Sequence, residues 1–82
     1  METLGTKLKS AREKLNLSLQ EASDITKIRT HILESFEKNN FTILPPVYTK
    51  SFVIEYARCL KINKSEIQDD LDELFPPTQK ST

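Results

Sequence analysis

The sequence has almost no glycine. Gly5 is the only one in 82 residues, so there is no glycine-rich loop to hold phosphates. Cysteine is as scarce. Cys59 stands alone, no disulfide can close within the chain, and a reducing, intracellular compartment is the expected setting. His31 is the single histidine. With no cysteine or second histidine near it at ligand spacing, no metal motif is present and no cofactor is expected. No run alternates apolar and polar residues for long enough to suggest a sheet. No apolar stretch approaches the roughly 18 to 20 residues of a membrane span, and the N-terminus lacks the apolar core of a signal peptide. An excess of one charge is missing too. Twelve basic residues balance twelve acidic ones, and a protein living by phosphate contacts usually shows a basic surplus.

What is present is helical punctuation. A chain 37% hydrophobic and 29% charged folds as a soluble globular domain rather than remaining disordered, and its length suits one domain, over 1–75. Thr3 caps a first helix from about Leu4 to Lys14, with Leu4, Leu8, Ala11 and Leu15 on one face. "SLQE", Ser18 to Glu21, is a capping box that opens a second helix to about Ile25. "TKI", Thr26 to Ile28, makes a turn. A third helix follows from Arg29 or Thr30 to Lys38, burying Leu33 and Phe36 and partly covering Ile32. Asn39 takes the left-handed conformation that ends a helix, and Phe41 and Leu44 fold back onto the core. A fourth helix spans Val47 to Lys61 with Val53, Tyr56, Ala57 and Leu60 as its core stripe. "NKSE", Asn63 to Glu66, opens a fifth helix carrying Ile67, Leu71, Leu74 and Phe75. "PPTQKST", over 76–82, reads as a linker. The fold class is all-α.

Several residue groups are candidates for chemistry, and most have a plainer account. His31 faces solvent on the third helix. Cys59 has no base in sequence to activate it and reads as a packing or surface thiol. Glu66, Asp69, Asp70, Asp72 and Glu73 form an acidic cluster, read as a solvated face that favours the N-terminal dipole of the fifth helix. Nothing here points to an enzyme. The helix from Ser18, the short turn and the helix from Arg29 have helix-turn-helix dimensions. In that arrangement Arg29, Thr30, His31 and Ser35 face a major groove: Arg29 suits guanine, and Thr30 or Ser35 a phosphate. Glu34 on the same face opposes phosphate. Lys7, Lys9, Arg12 and Lys14 are a modest basic patch, or equally a solvated face partly paired with Glu13.

Two aromatics remain. Tyr48 and Phe52 lie four apart on the fourth helix, rotated off its core stripe. The blocks "LKSAREKLNLSL", "TKIRTHILESFE" and above all "LPPVYTKSFVIEYARCLKI" resemble the RodZ-like (YmfM-like) N-terminal cytoplasmic helix-turn-helix domains of bacterial cell-shape proteins. The resemblance covers about Leu4 to Leu71; generic Xre-type domains share the first two blocks loosely and lack the third. It implies a five-helix Xre-type fold, with the fourth and fifth helices packed on the helix-turn-helix core. It further implies a non-enzymatic scaffold that docks the bacterial actin MreB in cell-shape maintenance. The positions matching the family's docking aromatics are Tyr48 and Phe52, with Thr49, Lys50 and Glu55 as polar neighbours. Membrane association would come only through an anchor in a longer parent chain, after Thr82, placing the domain on the cytoplasmic face of the inner membrane. Sequence-specific DNA binding by a transcriptional regulator is the alternative. Against the family pattern, Lys50-Ser51 stand for Arg-Gly and Ile54 for an arginine, which removes a positive charge beside the expected interface. Against DNA-reading Xre domains, Leu19 stands where a phosphate-bracing glutamine is common.

Overall fold

Thr3 starts the first helix as its residue type predicts: its hydroxyl accepts the Thr6 N–H at 3.2 Å. The computed structural model describes residues 3–75, and the linker expected over 76–82 lies outside them. The described residues form α1 (Leu4–Lys14), α2 (Leu19–Thr26), α3 (Thr30–Glu37), α4 (Pro46–Cys59) and α5 (Lys64–Leu74). Ser18 opens α2 with both halves of its box made. The Ser18 hydroxyl accepts the Glu21 N–H at 3.0 Å, and the Glu21 carboxylate accepts the Ser18 N–H at 2.9 Å. At α5 the Glu66 carboxylate likewise accepts the Asn63 N–H at 3.1 Å. Pro46 takes the first position of α4, where its missing N–H costs nothing.

Helix ends differ from expectation by a residue or two, for a reason the backbone shows. Asn16, Asn39 and Lys61 adopt φ of 56, 64 and 62, and each left-handed residue closes the helix before it. In each case the next N–H reaches back into the last turn: Leu17 to Arg12 O at 3.2 Å, Asn40 to Ser35 O at 2.8 Å and Ile62 to Ala57 O at 2.9 Å. These are Schellman closures built without glycine. They end α3 at Glu37 rather than Lys38 and α4 at Cys59 rather than Lys61.

The lone glycine has another use. A Cβ on Gly5 would lie 2.6 Å from the Phe36 carbonyl oxygen and 2.7 Å from that of Glu37. Its absence lets α1 press against the end of α3, where the Gly5 N–H donates to Asn39 Oδ1 at 2.9 Å. α1 packs on α3, α2 on α3 and α4, and α4 on α5. Leu4, Leu8, Ala22, Ile28, Ile32, Leu33, Phe36, Val53, Tyr56, Ala57, Leu60, Ile67 and Leu71 make one continuous core. Each large member removed from water contributes about 1.5–3 kcal/mol before entropy is counted. Ile32, expected to be partly covered, is buried. Leu15 and Leu74, expected on apolar faces, are exposed, each sitting at the very end of its helix.

Candidate functional site

Two surfaces compete, the start of α4 and the start of α3. The α4 surface begins with Pro45 and Pro46, which hold the chain extended and then turn it into the helix. Val47 is 69% and Tyr48 58% exposed, beside Ile43 at 38%. Three large apolar side chains thus meet solvent at one helix end, while the core below them is closed. Val47 and Ile43 carry no signal of exposure in the sequence. Their exposure depends on the path of the Asn39–Pro45 segment, which no periodicity reports.

The structure separates the residues expected around Tyr48. Phe52 is half-buried and packs against the core, so it joins the surface to the interior. Thr49 is completely buried, which corrects its expected place as a polar neighbour on the docking face. Thr49 stands one turn before Val53 on the core stripe, and its hydroxyl lies 3.1 Å from Leu44 O and 3.2 Å from Pro45 O, donating into the turn before the helix. Lys50 is exposed, but two residues at about 100° each carry it to the opposite flank from Tyr48. Glu55 lies two turns beyond Tyr48 on the same side, exposed, with its carboxylate 3.6 Å from Arg58.

At the other surface Arg29 precedes the first turn of α3, and Arg29 and His31 are both exposed. Thr30 and Ser35 are half-buried. The Ser35 hydroxyl is already committed, donating to the His31 carbonyl at 2.9 Å. Glu34, exposed on this face, has Lys38 at 3.5 Å. The basic patch expected on α1 does not hold together. Lys7 binds Asp70 of α5 at 2.7 Å, and Arg12 turns inward to Glu37, rather than pairing with Glu13. Lys9 and Lys14 stay on the surface. The acidic cluster is also placed differently. Only Glu66 stands in the first turn of α5, so the helix dipole accounts for it and for none of the others.

The polar network inside leaves no local mark in the sequence. Arg12 holds Glu37 by a fork, Nε to Oε2 at 2.7 Å and Nη2 to Oε1 at 3.1 Å, and gives Nη1 to the Leu17 carbonyl at 2.8 Å. Buried Tyr56 donates its hydroxyl to the same Glu37 carboxylate. α1, α3, α4 and the loop after α1 are thereby tied at one point. Hydrogen bonding to Glu37 raises the Arg12 pKa. Burial, and then the bond to Glu37, pushes the Tyr56 phenol far above its ordinary value. Burial also raises the Cys59 thiol, which makes it a poorer nucleophile. Among the described residues no three His, Cys, Asp or Glu side chains converge as a metal site requires.

The arrangement of α2, the turn through Lys27 and α3, backed by α4 and α5, defines a helix-turn-helix domain. A family model described as a helix-turn-helix domain matches residues 7–67, and the chain belongs to that family. Within it the chain is RodZ-like. It is 36% identical over 72 residues to the cytoskeleton protein RodZ of Streptococcus pneumoniae (strain ATCC BAA-255 / R6), a match covering 87% of this chain. An uncharacterized protein of Haemophilus influenzae (strain ATCC 51907 / DSM 11121 / KW20 / Rd) is 35% identical over 63 residues, 74% of this chain. The chain spans 26% of the first relative's length and 21% of the second's. Among solved structures, YmfM of Staphylococcus aureus, described as a candidate DNA-binding membrane protein, superposes with a TM-score of 0.81. It is 30% identical, and the match covers 95% of this chain and 96% of that one. No helix of the described residues is long and apolar enough to cross a membrane.

Proposed function

We propose that this domain is a protein-docking module that engages a filament-forming partner through the start of α4. The observation that carries the reading is the exposure of Tyr48 and Val47, at 58% and 69%, above a closed core. Aromatic side chains bury large area at low entropic cost, which suits an anchor at an interface centre. The RodZ-like character supports a role in bacterial cell shape, and the partner proposed on that resemblance is the actin homologue MreB. A patch this small gives modest affinity for one subunit, on the order of micromolar or weaker. Tethering many copies to one membrane would supply the avidity.

The test separates Tyr48 from Phe52. Tyr48→Ala abolishes co-sedimentation with polymerised partner and leaves thermal unfolding unchanged. Phe52→Ala weakens docking and also lowers stability, because half of that ring packs inward. Unchanged co-sedimentation of a folded Tyr48→Ala protein would place the docking face elsewhere.

DNA binding is the second reading, favoured by one observation: Arg29 and His31 stand exposed at the head of α3. Against it, Ser35 is committed to its own helix, Glu34 faces outward, and two of four α1 cations are held internally. Selection from random duplexes that enriches one motif, lost in Arg29→Ala, would reverse this ranking.

A further inference from the structure

The zero net charge of this chain hides a separation of charge along the molecule. Two open grooves flank the α4–α5 turn and share Lys61 and Ile62. Leu15, Ile54 and Ile62 contribute apolar lining, while Lys14, Arg58, Lys61 and Lys64 supply the charge. Glu66 is the one carboxylate among the lining residues, and it already accepts the Asn63 N–H. Among the described residues Arg58 has only the long contact to Glu55, at 3.6 Å on the surface.

The opposite end is acidic. Lys7 reaches Asp70 and the Glu66 carbonyl, and Thr3 and Leu4 line one hollow with Glu73 and Leu74. α1 and α5 therefore run antiparallel, and the end of α5 lies at the far pole from the α4–α5 turn. Asp72 and Glu73 are exposed there around Leu74, itself 42% exposed. The last turn of α5 holds no basic residue, so these carboxylates face the negative end of their own helix dipole. An external cation relieves that conflict. A basic surface with an apolar floor and an acidic end with an apolar knob are complementary in both respects.

We propose that the α4–α5 corner is a docking surface for a second copy of this chain, receiving the acidic end of that copy's α5. The contact uses none of the residues of the Tyr48 surface, so the two interfaces succeed or fail independently. It is heterologous: each bound copy still presents the surface its neighbour has used. Such a contact extends head to tail rather than closing as a dimer. Its charges are exposed, so it weakens as salt shortens the Debye length from about 10 Å at 0.1 M to about 3 Å at 1 M.

Sedimentation velocity on the 82-residue chain tests this without any partner. At low salt the weight-average sedimentation coefficient rises with concentration, over a range on the order of hundreds of micromolar. At about 0.5 M salt the rise disappears. Two variants, Lys61→Glu/Lys64→Glu and Asp72→Lys/Glu73→Lys, each stay monomeric alone. Mixed in equal amounts they associate again, because each altered end now complements the other variant. Lys64→Glu alone also weakens association; a carboxylate at the first position of α5 favours the helix, so the fold is kept. Wild-type protein that stays monomeric at every concentration overturns the proposal. So does association that survives high salt, or a mixture that behaves as its separate components do.

Discussion

Glu37 shows how much one side chain can join. Its carboxylate, 6% exposed, takes the Arg12 fork from α1 and the Tyr56 hydroxyl from α4. Removing Arg12 leaves that charge buried without its cation, so Arg12→Ala should cost about 3–5 kcal/mol, read from urea unfolding. Tyr56→Phe removes one donor and keeps the ring, at about 1–2 kcal/mol. The same pair predicts a pH dependence. The folded-state phenol titrates well above its unfolded value of about 10. Above that pH the unfolded chain releases a proton that the folded chain keeps. The stabilisation is complete below pH ~10 and declines as pH rises from there. Wild type should therefore lose more stability than Tyr56→Phe between pH 9 and about 11. Gly5 makes a parallel case without charge. Gly5→Ala forces a methyl against two backbone carbonyls within 2.7 Å, and should lower stability by about 1–3 kcal/mol.

Each helix carries its own start and stop in adjacent residues, and so the elements were readable in advance. Ser18 and Glu21 are three apart, and a capping box needs nothing from the rest of the chain. The core stripe Val53, Tyr56, Ala57 and Leu60 follows from spacing alone, and all four are buried. Thr49 belongs to that stripe by the same arithmetic, yet its hydroxyl suggests a surface. Only the Leu44 and Pro45 carbonyls, which its hydroxyl reaches across the turn into the helix, explain why it is inside. The Arg12–Glu37 fork bridges 25 positions between helices and leaves no local mark. The patch at Ile43, Val47 and Tyr48 was legible only in part, because exposure of the first two depends on how a loop lies. The non-glycine closures give a paired prediction. Lys61→Gly should raise stability by about 0.5–1 kcal/mol, since a left-handed Cβ is removed. Asn39→Gly should lower it despite the same φ relief. The Asn39 side chain accepts the Gly5 N–H and donates to Thr3 at 2.9 Å. Thermal melts of the two proteins in one buffer decide the contrast.

For the molecule as a whole, balanced charge governs how it meets polyanions. With Lys7 and Arg12 engaged internally, any non-specific binding to duplex DNA should be weak. The slope of log affinity against log salt should correspond to only two or three phosphate contacts, roughly −2 to −3. A fluorescence-anisotropy titration across salt concentrations measures it. The connection between first and last helices has a different consequence, for motion. α5 is held through buried Ile67 and Leu71 on one side and by the partly exposed Lys7–Asp70 pair on the other. The Arg12–Glu37–Tyr56 tie lies wholly within α1, α3 and α4. The chain can therefore release α5 while those helices stay locked, an opening that costs less than global unfolding. Amide protons of α5 should exchange with solvent deuterium earlier than those of α1, α3 and α4, and added salt should hasten them selectively. The last helix would then be a dissociable latch, closed by the burial of Ile67 and Leu71 and only trimmed by one lysine near the opposite end of the sequence.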